Sequence, residues 1–320
     1  MKIRILTSKD VTLALPMAEA IEVVKNAFGQ FSAGKATMPL RSRLQTEMGI
    51  TLLMPAYLRE SKSLAIKIVS VYEENTKSGL PTVSAIVIVH DPLTGMPLAI
   101  MDGTSLTAIR TGAAGGLAAD LLSRKDAKKV TLFGAGVQGR SQLLGVMAVR
   151  KIDEVFIIDS IEEASHKLSK EILSWPNHPT IRIQPPLKDA IQGADIIITA
   201  TTSTNPLFDG NDLKPGTHIT AIGAFTPDMQ EIDKNTAERA RIIVDSREAC
   251  LAEAGDIIKT KAHIDAELGD IINGQSPERQ NQKEITLFKT VGLAVQDAAA
   301  AAAVLKRAEE LDLGTTIEMS

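Results

Sequence analysis

Three glycines at a characteristic spacing form the clearest chemical motif in the sequence. Gly134, Gly136 and Gly139 make a G-x-G-x-x-G pattern directly after the apolar run 130–133 and before a helical stretch. In such a loop the first glycine permits a tight turn, the second lets backbone approach a pyrophosphate, and the third allows close helix–sheet packing. The helix N-terminus adds N–H groups and partial positive charge. The motif therefore predicts a dinucleotide site.

An acidic residue follows the glycines at the distance typical of ribose binding. Asp159 ends the next predicted strand, and an acid about 20 residues after the glycines is the expected partner of the ribose hydroxyls. Ser160 and Ile161 come next and offer no cation for a 2′-phosphate. The pattern therefore favours NAD over NADP, although NADP stays possible. The alternative is a cofactor-free α/β domain with an ordinary tight turn.

Two cationic side chains stand in otherwise apolar segments. Lys67 interrupts a predicted strand of Leu, Ile and Val, and Arg110 lies on a predicted helix rich in Ala and Leu. A partly desolvated ammonium can donate a proton, and a guanidinium can bind a carboxylate through two parallel hydrogen bonds. The alternative for Lys67 is an ordinary solvated charge, and for Arg110 it is a solvated surface charge or an ion pair.

The elements that carry these residues follow two patterns. The N-terminal part has helix starts at Thr7 or Ser8 and near Pro16, a strand-rich stretch without intervening helices, and a helix over 104–122. Successive strands of this kind favour a mixed or antiparallel sheet. The predicted strands are 50–54, 64–72, 81–90 and 98–101.

From residue 130 onwards strands and helices alternate, which predicts a doubly wound parallel sheet. The predicted strands are 130–133, 155–158, 181–183, 196–200, 219–222 and 242–244, with helices over 138–149 and 162–173. A last helix carries six alanines after Asp297. We interpret that helix as structural, because alanine has the highest helix propensity and small side chains pack closely.

Composition excludes several classes of function. A net charge of −4 and 3% aromatic residues disfavour binding to a nucleic acid. The single cysteine and five scattered histidines predict neither a disulfide framework nor a metal site. No apolar run has the length of a transmembrane helix or a secretory signal. We therefore expect a cytoplasmic enzyme of about two domains.

Motifs along nearly the whole chain resemble the ornithine cyclodeaminase/mu-crystallin family. They are MPAY at 54–57, Lys67, NTKSGLPT at 75–82, MDG at 101–103, LTAIRT at 106–111, GAGVQ at 134–138, ADII at 194–197, AIGA at 221–224, AELG at 266–269 and FKTVG at 288–292. So many motifs in order are specific to the family, although not to one activity within it.

The resemblance implies a fold and an assembly. We expect an α/β protein in which an NAD(P)-binding Rossmann domain, residues 123–292, is inserted into an α+β domain. That second domain comprises residues 1–122 and 293–320, binds the substrate and forms a homodimer. Members of the family act on small 2-amino or 2-imino acids beside a nicotinamide.

The resemblance also implies roles for individual residues. Arg41 and Arg110 match the carboxylate-binding arginines, with Arg43 ranked second, and Lys67 matches the catalytic lysine. Phe225 is expected to make the substrate pocket more apolar. Asp228 is a candidate catalytic residue that could orient Lys67 or the substrate, although it could equally be a turn residue after Pro227. The implied cofactor-binding residues are Thr82, Arg110, Gly134, Gly136, Val137, Gln138, Asp159, Thr201, Ala221, Ile222, Gly223 and Thr290.

Two departures from the family pattern separate its activities. Cyclodeaminases have an acid where this chain has Leu52, and both they and the alanine dehydrogenase have an aspartate where it has Phe225. Oxidative deamination needs a base to handle ammonia or water, whereas reduction of a preformed imine needs a hydride and a proton donor. The chain is thus closest to the ketimine reductase/mu-crystallin-like branch.

The resulting hypothesis is an NAD(P)H-dependent reductase of cyclic 2-imino acids, converting Δ1-pyrroline-2-carboxylate to proline, Δ1-piperideine-2-carboxylate to pipecolate, or both. Three alternatives stay open. They are an alanine dehydrogenase-type enzyme, an ornithine or lysine cyclodeaminase, and a non-catalytic, mu-crystallin-like ligand-binding protein.

Overall fold

Two eight-stranded sheets, one mixed and one parallel, organise the chain. The computed structural model describes residues 1–319, apart from the side chain of Thr76. The chain divides into two units. Unit 1 contains Met1–Arg110 and Leu293–Ser320, of which Ser320 lies outside the described residues, and unit 2 contains Thr111–Gly292.

Unit 1 consists of a mixed sheet and helices that pack on one of its faces. Its strands are β1 (Lys2–Leu6), β2 (Ala36–Thr37), β3 (Ser42–Gln45), β4 (Ile50–Leu58), β5 (Ser63–Val71), β6 (Val83–His90), β7 (Pro97–Asp102) and β16 (Thr315–Glu318). Its helices are α1 (Ser8–Ala14), α2 (Met17–Ser32), the first turns of α3 (Gly103–Leu122) and α11 (Ala294–Glu310), together with a 3-10 turn at Glu73–Ser78.

The sheet of unit 1 has the strand order β16-β1-β7-β6-β5-β4-β2, and β3 pairs with β4. β1 and β7 are parallel and the other pairs are antiparallel, as the uninterrupted strand pattern predicts. Thr7 caps α1 in a reciprocal capping box with Asp10. Helix α11 packs against β4, β5 and α2, and four of the six alanines of its run, Ala298–Ala301, are buried.

Unit 2 is a parallel sheet flanked by helices. Its strands are β8 (Lys129–Phe133), β9 (Glu154–Ile158), β10 (Thr180–Ile183), β11 (Ile196–Thr199), β12 (His218–Ala221), β13 (Ala240–Val244), β14 (Ala266–Glu267) and β15 (Ile285–Lys289). Its helices are the rest of α3, α4 (Val137–Val149), α5 (Glu162–Ile172), α6 (Leu187–Gly193), α7 (Lys234–Arg239), α8 (Arg247–Glu253), α9 (Gly255–Thr260) and α10 (Leu268–Ile272), with a 3-10 turn at Gly210–Asp212.

The strand order of unit 2 is β10-β9-β8-β11-β12-β15-β13-β14. The chain runs outwards from β8 through β9 to β10 and then returns to β11 on the other side of β8. A doubly wound sheet binds its ligand at this reversal, outside the carboxyl ends of the strands. The predicted fold class, a Rossmann unit inserted into an α+β unit, is confirmed.

The first boundary between the units falls inside helix α3, between Arg110 and Thr111, whereas the sequence predicts it after residue 122. The reason lies in the glycines of the helix. Gly112 and Gly116 lie directly against Gly145 of α4, so backbone packs on backbone there. Residues 111–122 therefore belong to the packing of unit 2.

Candidate active site

Lys67 lies in the middle of β5, on the face of the sheet that packs against helices. Along β5 the side chains of Ala65, Lys67 and Val69 are buried while their neighbours are half-buried. Lys67 pairs in register with Met54 on β4 and with Val87 on β6, and only 2% of it is exposed. The alternative of a solvated surface charge is therefore wrong for this lysine.

The carboxylate that pairs with Lys67 belongs to Asp297, on the first turn of α11. The Lys67 Nζ lies 2.6 Å from Asp297 Oδ2, and Arg110 Nε donates to Asp297 Oδ1 at 2.9 Å. The Arg110 Nη1 donates to Gln296 Oε1 at 2.8 Å. Unit 1 thus gathers two cations and one shared carboxylate from β5, α3 and α11.

The sequence interpretation missed Asp297 and Gln296, because the alanine run was taken as purely structural. A signal was present in the sequence. Small alanine side chains allow a helix to pack closely against its neighbours, so an acid next to a long alanine run is expected to be buried. A buried acid in turn needs a cationic partner.

Burial and charge act in opposite directions on these groups. The pKa of Lys67 is lowered from 10.5 to about 8: burial is the largest cause, Arg110 and Arg41 also lower it, and Asp297 opposes them. Burial tends to raise the pKa of Asp297, but Arg110 and Lys67 outweigh it, so that pKa lies below its ordinary value. At neutral pH the protonated ammonium is therefore the main form of Lys67, and an ammonium of this kind can donate a proton.

The other predicted residues of unit 1 lie around this group. Arg41 precedes β3, is half-buried and lies close enough to influence the Lys67 pKa. Arg43 is exposed on β3, opposite Leu52. Thr82 is half-buried just before β6, and its carbonyl accepts a hydrogen bond from the N–H of Tyr72 at 2.8 Å.

Leu52 shares a sheet face with Lys67. Met54 is the direct partner of Lys67 in the β4–β5 ladder, and Leu52 lies two residues earlier on β4. Because side chains alternate along a strand, Leu52 and Met54 point to the same side. An acid at position 52 would lie on the lysine face, and this chain has an aliphatic side chain there.

The glycine loop of unit 2 has the geometry of a phosphate cradle. Gly134 directly follows β8 and has φ +93°, and a Cβ there would collide with the carbonyl of Ala200 after β11. A Cβ on Gly139 would collide with the carbonyl of Gly134. Around the Cβ position of Gly136 there is open space within 4 Å. The first and third glycines are therefore required by the fold, and the second leaves room for a ligand.

The N-terminus of α4 and the carboxylate of Asp159 lie next to the glycine loop and add further polar groups to the cradle. Helix α4 begins at Val137, which is exposed, and its N-cap residue Gly136 offers no side chain to the first-turn N–H groups. Gln138 Oε1 is buried without a partner among the described residues. Asp159 accepts from Ala135 N at 2.7 Å and from Ile161 N at 2.8 Å, and a carboxylate has further lone pairs for ribose hydroxyls. These features fit a dinucleotide.

The remaining predicted cofactor residues lie at the carboxyl ends of neighbouring parallel strands. Thr201 follows β11, Ala221, Ile222 and Gly223 end or follow β12, and Thr290 follows β15. This shared edge is where the ligand of a doubly wound sheet binds.

Two buried carboxylates that the sequence analysis did not single out hold these strand ends. Glu231 accepts hydrogen bonds from Thr201 N at 2.7 Å, Thr201 Oγ1 at 2.8 Å and Gly223 N at 2.7 Å. Burial raises the pKa of Glu231, although Lys289 counteracts it. Asp245 accepts from Thr290 Oγ1 at 2.5 Å. Both carboxylates satisfy backbone and hydroxyl donors in place of solvent.

Phe225 and Asp228 lie on the loop of unit 2 that follows Gly223. Phe225 is 41% exposed, and Asp228 is also exposed, with its carbonyl accepting a hydrogen bond from Lys259 Nζ. Gly255 anchors the loop, since its N–H donates to the Thr226 carbonyl at 3.2 Å. The sequence analysis considered Asp228 as a group that orients Lys67, but the carboxylate paired with Lys67 is that of Asp297.

Within residues 1–319, no cluster of three or more His, Cys, Asp or Glu side chains is arranged to hold a metal ion. None of the helices described in the structure is both long and apolar enough to cross a membrane.

The strand order, the glycine cradle and Asp159 define a Rossmann-type dinucleotide-binding unit, joined in one chain to a unit with a buried lysine, arginine and aspartate. Residues 1–312 match the model of the ornithine cyclodeaminase/mu-crystallin family. The chain belongs to this family, as its motifs predict.

Three relatives illustrate the similarity. The Δ1-pyrroline-2-carboxylate reductase of Bacillus cereus is 37% identical over 94% of this chain and 95% of its own length. The structure of the Thermococcus litoralis Δ1-pyrroline-2-carboxylate reductase in complex with NADH and L-proline has a TM-score of 0.94 and 41% identity, covering 98% of this chain and 100% of that one. An archaeal alanine dehydrogenase dimer with bound NAD has a TM-score of 0.94 and 35% identity, covering 100% of both chains.

The glycines supply a matched pair of variants. Gly136→Ala fills the open space of the cradle, so we expect an NADH dissociation constant at least about tenfold higher with an unchanged melting temperature. Gly145→Ala forces a Cβ into the backbone of α3 and is expected to cost about 1–3 kcal/mol of stability. NADH fluorescence titration and thermal melting measure both effects. A melting temperature lowered equally by both substitutions would contradict this assignment.

Proposed function

We propose that this protein is an NADH-dependent reductase of cyclic 2-imino acids, with Δ1-pyrroline-2-carboxylate as the preferred substrate and Δ1-piperideine-2-carboxylate as the second. The observation that carries the proposal is the buried group of Lys67, Arg110 and Asp297, which offers a proton donor and a carboxylate-binding fork together. The reductases from Bacillus cereus and Thermococcus litoralis, similar over nearly the whole chain, support it.

The reaction adds a hydride to the imine carbon and protons to the imine nitrogen. Bound NADH supplies the hydride and leaves as NAD⁺. The C=N double bond becomes a C–N single bond, and the nitrogen takes one proton to become an amine and a second to become the ammonium of the amino acid. The protein must therefore hold a carboxylate and deliver a proton to one nitrogen atom.

Arg110 and Arg41 bind the substrate carboxylate in this proposal. The bonds to Asp297 and Gln296 engage Nε and Nη1 of Arg110, so we assign Nη2 to the substrate. Arg41 supplies a second cation and Arg43 is ranked below it. A guanidinium suits this task because its fork matches a carboxylate and stays charged.

Lys67 donates the proton to the imine nitrogen in this proposal. An ammonium has three N–H donors, and the ion pair with Asp297 uses one of them. Phe225 is assigned to the apolar wall against the substrate ring. Asp228 is a candidate for a second polar contact with the substrate.

The cofactor is NAD in this proposal, held by the residues at the strand ends of unit 2 together with Thr82 and Arg110. Asp159 accepts from the ribose hydroxyls, and Glu162 and Glu163 follow it at the start of α5. Acidic residues at this point repel a 2′-phosphate, so NADP is expected to bind more weakly.

The test is an assay of the purified protein with each cyclic imine. We expect NADH oxidation with Δ1-pyrroline-2-carboxylate, formation of L-proline, and a lower kcat/KM with the six-membered ring or with NADPH. NADH oxidation with pyruvate plus ammonia tests the alanine dehydrogenase alternative. The similarity to the archaeal alanine dehydrogenase, at 35% identity, is the reason for including this test. Absence of turnover of both cyclic imines with either cofactor would overturn the proposal.

Leu52 and Phe225 argue against cyclodeaminase activity in this proposal. Both are apolar where the resemblance implies acids, and release of ammonia needs a base at the substrate carbon. Ornithine and lysine incubated with NAD⁺ are therefore expected to release no ammonia.

The Lys67 assignment predicts a pH dependence. Because the protonated amine is the active form and its pKa is about 8, kcat/KM is expected to be level below pH 8 and to fall about tenfold per unit well above it. Lys67→Met is expected to lower kcat by at least about 100-fold while NADH still binds. Retention of wild-type turnover by Lys67→Met would contradict the assignment.

We further propose a homodimer formed through the sheet face of unit 1 opposite its helices. On this face Ile66, Ile88 and Ile100 lie side by side across three strands. Leu53, Ile86 and Leu98 share the face and are 39%, 44% and 39% exposed. An apolar patch of this kind is typical of a protein–protein interface, and the similar archaeal alanine dehydrogenase is a dimer.

The homodimer predicts that a charge on this face dissociates the chains. Ile88→Asp is expected to convert the dimer to a monomer in sedimentation velocity, because a carboxylate would be buried without a partner. Leu13→Asp is the matched control, since Leu13 is 57% exposed on α1 and α1 packs on the other face of the sheet. Dissociation by both variants, or by neither, would count against this interface.

Roles for the two units and a location follow from the same proposal. Unit 1, Met1–Arg110 with Leu293–Ser320, is assigned to substrate binding and dimerisation, and unit 2, Thr111–Gly292, to the cofactor. Compared with the sequence prediction, residues 111–122 are thereby assigned to the cofactor unit. A cytoplasmic location fits an enzyme that draws on a reduced nicotinamide pool.

A further inference from the structure

We propose that Asp297 is a positioning residue, which holds Lys67 in its ammonium form and orients Arg110 towards the substrate carboxylate. The catalytic meaning of this inference rests on the proposed function. The physical claim concerns charges buried in unit 1 and can be tested without any substrate.

The geometry assigns one carboxylate to two cations. Asp297 Oδ2 lies 2.6 Å from Lys67 Nζ, and Oδ1 accepts from Arg110 Nε at 2.9 Å. The side chains of Lys67, Arg110 and Asp297 are 2%, 5% and 1% exposed. Because each oxygen serves a different cation, a rotation of this one side chain would displace both.

The charges that face Lys67 come from three elements. Asp297 approaches from α11, Arg110 from α3, and Arg41 from the segment before β3. In the β-ladder Lys67 has only the apolar Met54 and Val87 as direct partners. Among the described groups that act on Lys67, Asp297 is thus the one anion, and without it two guanidinium groups would act on the lysine with no anion to oppose them.

Gln296 gives Arg110 a second, uncharged contact. Its Oε1 accepts from Arg110 Nη1 at 2.8 Å and from the N–H of Leu293 at 2.9 Å. The side chain therefore ties the guanidinium to the start of α11. Since its described bonds involve Arg110 and not Lys67, Gln296 separates the two effects that Asp297 combines.

The arrangement has a consequence for substrate binding. An arriving carboxylate finds Arg110 already oriented, so less conformational entropy is lost on binding. It also adds a second anion beside Lys67, which favours the ammonium that must donate the proton. Asp297 supports the lysine charge before the substrate arrives and need not touch the substrate.

The decisive measurement is the titration of Lys67 itself, in protein labelled with ¹³Cε-lysine. Its NMR signal is assigned by its disappearance in Lys67→Arg. In Asp297→Asn we expect the Lys67 pKa to fall by at least about one unit, because the carboxylate that favours the ammonium is gone. The high-pH limb of kcat/KM should move down by the same amount, with kcat at pH 7 reduced at least about tenfold.

Three further variants distinguish positioning from a merely structural role. Gln296→Met should raise KM and leave the Lys67 pKa unchanged. Asp297→Glu keeps the charge, so it should lower kcat but leave the pKa near the wild-type value. If Asp297→Asn does not fold, Asp297→Ser, which also removes the charge, takes its place. Asp195→Asn is the control, because it removes the charge that the partly buried Arg124 and Lys214 pair with in unit 2 and should lower only the melting temperature.

A Lys67 pKa that is the same in Asp297→Asn as in the wild type would overturn the inference. So would a pKa that falls equally in Asp297→Glu, since the effect would then follow shape rather than charge. If the wild-type protein does not reduce the cyclic imines, the proposed function fails, and the titration still decides the role of Asp297.

Discussion

The structure of unit 1 depends on burying a lysine beside an arginine. Removing two cations from water is costly unless a nearby anion compensates them, and Asp297 is that anion. The surrounding elements are consistent with this requirement. The alanine run of α11 lets the helix lie close to β5, and the alternation of β5 directs Lys67 towards it. The same ion pair favours the ammonium form of Lys67.

Buried carboxylates also hold together the strand ends of unit 2. Glu231 joins the ends of β11 and β12, and Asp245 joins the ends of β13 and β15. A buried ion pair between Lys289 and Asp256, at 2.9 Å, lies in the same unit. The hydrogen bonds of Glu231 and Asp245 hold the loops at the cofactor edge. The loops are therefore positioned before any ligand arrives, as binding a flexible dinucleotide requires.

Structural features that depend on local sequence patterns were predicted correctly, whereas contacts between distant segments were not. The alternation of strands and helices after residue 130 predicted the parallel sheet, and the glycine spacing predicted the cradle. Strand β15 was missed, although it lies between β12 and β13 in the middle of the sheet. The end of α3 was assigned to the wrong side of the packing boundary, because contact between Gly116 and Gly145 joins segments that local periodicity does not connect.

The sequence by itself determined which chemical groups are available: a dinucleotide loop, a lysine in an apolar strand and arginines for a carboxylate. It determined the family as well, through motifs that follow one another in order. Only the tertiary structure decided how the charges are paired. Asp297 is 187 residues from Arg110, and no local rule connects an acid in an alanine-rich helix with a lysine in a strand. Burial makes that pairing necessary, and burial is a property of the folded chain.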